Sequence, residues 1–61
     1  MPVVIVEMWE GRTVEQKREL VKELTNAFVK VAKTSPDAVT VIMHDNPKSN
    51  WGSKGKLASD A

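Results

Sequence analysis

Two residues near the start of the chain could together serve a proton transfer: Pro2, directly behind Met1, and Arg12, ten positions further on. An initiator methionine is removed when the next residue is small, and proline qualifies, so the mature chain is expected to begin with a free secondary amine. An α-amino group has a reference pKa of about 7.7 to 8.0, and burial beside a cation disfavours its charged form and lowers that value. This is the range a general base needs near neutral pH. A guanidinium such as Arg12 supplies the complementary function, a fixed cation with forked donors for a carboxylate or for an oxygen on which charge develops. Trp9 and Trp51 offer apolar walls, and His44 a titratable ring. Each also has a plain structural reading. Pro2 can be a strand-start residue without an awkward donor, Arg12 an exposed loop arginine, Trp51 an interface anchor and His44 a strand-end side chain.

The elements that must position these residues follow from hydrophobic spacing. "PVVIVEMW" (Pro2 to Trp9) reads as a strand, and because Val3, Val4, Ile5 and Val6 are all apolar, both of its faces need cover. "EGRT" turns the chain, with Gly11 free to take positive φ. Thr13 with Gln16 forms a capping-box pair and predicts a helix from Val14 to about Lys33. Its apolar residues Leu20, Val21, Leu24, Ala27, Phe28, Val31 and Ala32 form one stripe that is expected to pack on one sheet face. The charged residues around the rest of the helix read as a solvated face. "TSPDA" breaks the helix, since Pro36 disfavours helical backbone at Ser35, and "VTVIMH" (Val39 to His44) reads as the second strand. The tail after His44 is polar and turn-rich, with Trp51 its one large aromatic.

Strand, crossover helix and strand make a β-α-β unit with two parallel strands, an α+β fold class in a single domain spanning 1–61. The helix covers one sheet face, which leaves the other face and an apolar edge bare, a surface a soluble monomer avoids. A chain of 61 residues without cysteine cannot be stapled by disulfides, so oligomerisation is the expected source of stability. A two-fold dimer is the commonest closed arrangement, and it would run equivalent first strands antiparallel. Within one chain, seven strand steps put Pro2 and Arg12 more than about 20 Å apart. In an antiparallel pair, Pro2 of one chain instead comes to the "WEGR" turn of its partner.

Composition excludes several classes. A net charge of +1 gives no field that argues for nucleic acid or a membrane surface as partner. One histidine and no cysteine leave no Cys/His zinc site, and no metal is expected. At 41% hydrophobic and 28% charged residues, the chain falls with folded rather than disordered sequences. The N-terminus lacks the basic lead and apolar core of a signal peptide, and no apolar run reaches membrane-spanning length, so the expected location is cytoplasmic.

Taken together, Pro2, Glu10, Gly11, Arg12, Thr13, Glu15, Gln16 and Lys17 resemble the opening of the 4-oxalocrotonate tautomerase family. The likeness continues through the helix and second strand to the tail "NWGSKGKLAS". The resemblance implies a β-α-β protomer assembled as a trimer of dimers and keto-enol tautomerisation without a cofactor. Carried over, Pro2 is the general base and Arg12, from a neighbouring subunit, grips a carboxylate or the carbonyl oxygen of a small carboxylate enol substrate. Trp51 matches the family's tail aromatic, and Trp9 stands where the family has an aliphatic wall residue.

One position departs from the pattern. Thr40 stands where the family carries a second arginine, so a dicarboxylate substrate would lose one of two bidentate anchors. The departure leaves three readings: a monoacid or aryl enolpyruvate substrate, a replacement cation from His44, Lys48 or Lys54, or a relaxed enzyme. His44 lies four positions further along the same strand face and is the first replacement to test. The competing functions are a non-catalytic oligomeric binding protein of the same fold, and a dehalogenase of unsaturated acids, for which Glu10 would have to activate water.

Overall fold

The four β-branched residues behind Pro2 favour extended backbone, and the computed structural model, which describes residues 2–60, places them in strand β1 (Val3–Trp9). Thr13 caps the following helix α1 (Val14–Ala32) as a full capping box: its hydroxyl accepts the Gln16 amide at 3.1 Å, and the Gln16 side chain accepts the Thr13 amide at 2.9 Å. The helix stops at Lys33, in the left-handed region at φ 58°, whose amide donates to the Val29 carbonyl at 3.1 Å. Strand β2 (Thr40–Asn46) then pairs with β1 in parallel, from Val3 opposite Thr40 to Trp9 opposite Asn46.

Three details differ from the sequence reading. The second strand starts at Thr40 rather than Val39, because the Val39 amide closes a 3-10 turn (Pro36–Ala38) onto the Pro36 carbonyl at 3.3 Å. It also extends two residues past His44, where pairing with β1 outweighs the low strand propensity of Asp45 and Asn46. The tail is more than turns: β3 (Gly52–Ser53) and β4 (Lys56–Leu57) pair antiparallel around Lys54 and Gly55, both at positive φ, as a two-residue hairpin demands.

Burial alternates along both strands. Val4, Val6, Met8, Val41 and Met43 turn toward the helix side, while Val3, Ile5, Thr40, Ile42 and His44 lie on the open face. Among the described residues Met8, at 9% exposure, is the only buried hydrophobic side chain, and no residue of α1 is buried. The helix stripe is therefore covered only in part: Val31 is 80% exposed and borders an open apolar groove with Val4, Leu24, Ala27, Phe28 and Ala32.

The protomer is extended for its size. Its radius of gyration is 14.4 Å, against about 10.5 Å for a compact chain of this length. It exposes 4814 Å², about a fifth more than a globular monomer of equal mass. Among the described residues no helix is long and apolar enough to cross a membrane.

Candidate active site

The parallel register sorts the candidate residues into two groups at opposite ends of the sheet. At the first end stands Pro2, half-buried, whose carbonyl accepts the Thr40 amide at 3.0 Å. That bond sets the register of the whole pair and puts Pro2 and Thr40 side by side in one chain. The expected loss of Met1 concerns a residue outside the described ones.

At the other end, the Glu10 amide donates to the Asn46 carbonyl at 3.0 Å and closes the ladder. Gly11 takes φ 117°, a conformation side chains rarely adopt, and turns the chain toward the helix. The turn brings Arg12 back over the strand end, where Nη1 donates to the Trp9 carbonyl at 3.0 Å. Trp9 meets Trp51 edge to face, with centroids 5.8 Å apart and planes at 72°. Trp51 is fixed from both sides: its amide donates to Lys48 at 3.2 Å, and its carbonyl accepts from Ala58 at 2.8 Å. Lys48 Nζ stands 4.7 Å from the centroid of the Trp9 ring, within cation-π range.

Of the six residues that the sequence singles out for the site, Pro2, Trp9, Arg12, Thr40, His44 and Trp51, the structure brings Trp9, Arg12 and Trp51 together within a chain. It does not bring them to Pro2 or Thr40, which the seven residues of β1 hold more than about 20 Å away.

His44 belongs to neither end. It lies on the open sheet face, where its Nδ1 donates to Glu7 Oε2 at 2.7 Å; Asn46 Nδ2 donates to Glu7 Oε1 at 3.0 Å. Glu7 and Asn46 were not singled out in the sequence. The signal was present in the pairing, since aligning Val3 with Thr40 puts Glu7 opposite His44. Hydrogen bonds from Asn46, and then from His44, hold the Glu7 carboxyl below the usual glutamate range.

A group with a lowered folded-state pKa contributes stability that is complete above its unfolded value and lost as pH falls through the folded value. Glu7→Gln should therefore flatten the acid limb of stability below the ordinary glutamate range. Urea midpoints measured from neutral to acid pH at one protein concentration check this, and parallel losses in both proteins would exclude Glu7 as the source.

Electrostatically, the end holding Trp9 and Trp51 is cationic. Among the described residues the ion pairs are Lys17 with Asp45 and Arg18 with Glu15, and the His44 ring is hydrogen-bonded to Glu7. Arg12 and Lys48 enter none of them, so two cations outside any ion pair stand at the indoles, with Glu10 the acidic residue of the same turn. An anionic, planar, unsaturated molecule suits such a surface, with its π-system against the indoles and its charge on the cations.

The family profile described as tautomerase enzyme matches residues 2–61. A probable tautomerase of Halalkalibacterium halodurans is 38% identical over 60 residues, 98% of each chain. The 2-hydroxymuconate tautomerase of Comamonas testosteroni is also 38% identical over 60 residues, covering 98% of this chain and 95% of its own. Among solved structures, YwhB, a homologue of 4-oxalocrotonate tautomerase, superposes with a TM-score of 0.95 at 38% identity over 98% of both chains. Matched nearly end to end in sequence and in backbone, this chain belongs to the tautomerase family of isomerases.

Proposed function

We propose that the protein is a cofactor-independent keto-enol tautomerase acting on small conjugated enol acids, with the amine of Pro2 as general base. The observation that carries the reading is the division of the candidate residues between the two ends of β1. Pro2 stands at one end; Arg12, Trp9 and Trp51 stand at the other, and the outer edge of β1 has no partner strand among the described residues. Antiparallel pairing of two first strands across a two-fold axis superposes these ends, so each site takes its amine from one subunit and its cation and indoles from the next.

The chemistry then balances as follows. The free amine takes the enol hydroxyl proton, the oxygen electron pair collapses to a carbonyl, and the displaced π-electrons take a proton at carbon from the resulting ammonium. Arg12 faces the oxygen while negative charge accumulates there. The indoles exclude water, and the guanidinium beside the amine disfavours its protonated form. The Comamonas relative, a 2-hydroxymuconate tautomerase, supports an unsaturated 2-hydroxy acid as substrate.

The test is ketonisation of 2-hydroxymuconate and phenylenolpyruvate by processed protein in deuterated water. Deuterium should enter one face of the carbon that is protonated, and racemic product at the uncatalysed rate would defeat the proposal.

Assembly is part of the same reading. The open face carries Val3 at 53%, Ile5 at 59% and Ile42 at 41% exposure, an apolar patch of the kind that marks an interaction surface. Sedimentation should show an oligomer, a dimer at the least and a trimer of dimers on the family pattern, with no folded monomer at micromolar concentration. A stable folded monomer would remove the shared site.

A further inference from the structure

Lys48 is held in place more firmly than a surface lysine needs to be. It opens a 3-10 turn (Lys48–Asn50) behind Pro47, and its carbonyl receives the Trp51 amide. Its ammonium stands over the Trp9 ring, while Arg12 is bonded to the Trp9 carbonyl. One tryptophan thus carries a cation over its face and a second cation on its backbone, with Trp51 packed against it.

Among the other basic side chains, Lys54 stands at the turn of the tail hairpin, and two at the β1–β2 sheet are engaged. Lys17 pairs with Asp45, and His44 is engaged by Glu7. Thr40 carries no charge and sits beside Pro2, at the opposite end of its own chain. Two cations outside any ion pair among the described residues, set against an edge-to-face pair of indoles, match a flat ligand with two negative groups, since each cation can take one and the indoles the conjugated carbons between.

We infer that Lys48 is a substrate-binding residue that takes the far carboxylate of a dianionic conjugated acid, with Arg12 serving the enol end. The inference rests on the tautomerase reading for its reaction, but the preference for a second negative charge does not depend on which group is the base. Being a point charge on a flexible stem, Lys48 selects for charge at that end and not for forked geometry.

The experiment compares wild type, Lys48→Met and Lys48→Arg. Methionine keeps an apolar stem against Trp9 without the charge, and arginine keeps the charge. Lys48→Met should lower kcat/KM for 2-hydroxymuconate, which has two carboxylates, by about ten- to a hundredfold, mainly through KM. Turnover of phenylenolpyruvate, which has one, should stay close to wild type. Lys48→Arg should restore most of the loss. Equal losses on both substrates would mean that Lys48 only shapes Trp9, and an unchanged 2-hydroxymuconate rate would mean that it does not touch the ligand; either result overturns the assignment.

A binding arm separates this from the catalytic proposal. Tryptophan fluorescence, with both indoles in the site, follows titration by muconate and by sorbate, which share a six-carbon diene and differ by one carboxylate. Wild type should prefer muconate and Lys48→Met should abolish the preference. A wild-type protein that binds both alike overturns the inference. A Lys48-dependent preference in a protein that turns over neither enol acid leaves this inference standing and removes the catalytic reading.

Discussion

Chains that keep Met1 should be about 10² to 10⁴ times slower on an enol acid than processed chains, the range that general-base catalysis contributes. With methionine attached, the nitrogen of Pro2 is an amide whose lone pair is delocalised into the carbonyl and has no useful basicity. The fold should not register the difference, since Pro2 joins the sheet through its carbonyl, which accepts the Thr40 amide, and not through its nitrogen. Intact mass identifies the two forms. Unprocessed material comes from cells in which methionine aminopeptidase is inhibited, and a second blocked form carries an extra alanine left ahead of Pro2 by tag cleavage. Both should assemble like the processed protein and both should show this loss of rate. Pro2→Ala, which exposes a primary amine after processing, should retain part of the rate. Full activity in a preparation whose chains all carry Met1 would end the proline-base mechanism.

The fold was largely legible because its signals are local. The run Val3 to Val6, the Thr13/Gln16 capping box and Pro36 each act within a few residues, and the strand-helix-strand order follows from them. What escaped was set at a distance. Asp45 and Asn46 are poor strand formers, and they extend β2 only because Met8, Trp9 and Glu10 offer a ladder to complete. The tail hairpin has strands of two residues, too short for any alternation to show, and its one local mark is Lys54-Gly55 at the turn. The stripe on α1 was visible, but not how little of it a single protomer covers, because periodicity reports which face is apolar and not what lies against it.

The candidate site divides in the same way. That Pro2 and Arg12 lie at opposite ends of one strand follows from counting residues. That Trp9 touches Trp51 does not, since 42 positions separate them and only the closed end of the sheet makes them neighbours. Strand face alone points to His44 as the substitute for the cation that Thr40 does not supply. Its carboxylate partner emerges once β1 and β2 are in register, and the same register leaves Lys48 as the cation beside the indoles.

Arg12→Ala should lower kcat/KM for enol acids by about 10² to 10³, the loss typical of one donor to a developing oxyanion. The pH profile should move as well: without the guanidinium, the ammonium form of the base is less disfavoured, so the limb on which activity rises with pH shifts upward. The stronger test is complementation. In an antiparallel pair, a chain with the blocking alanine still offers an intact Arg12 to its partner, and an Arg12→Ala chain still offers a free Pro2 amine. Each as a homo-oligomer keeps about a hundredth of the activity or less. Mixed at random, half of the dimers combine the two, and each such dimer has one intact site and one doubly defective site, so about a quarter of wild-type activity should return. If amine and guanidinium served the same site from a single chain, no mixture could recover activity, because neither chain carries both. The length of β1 already argues against that arrangement, and a mixture as inactive as its components would require a different route between Pro2 and Arg12.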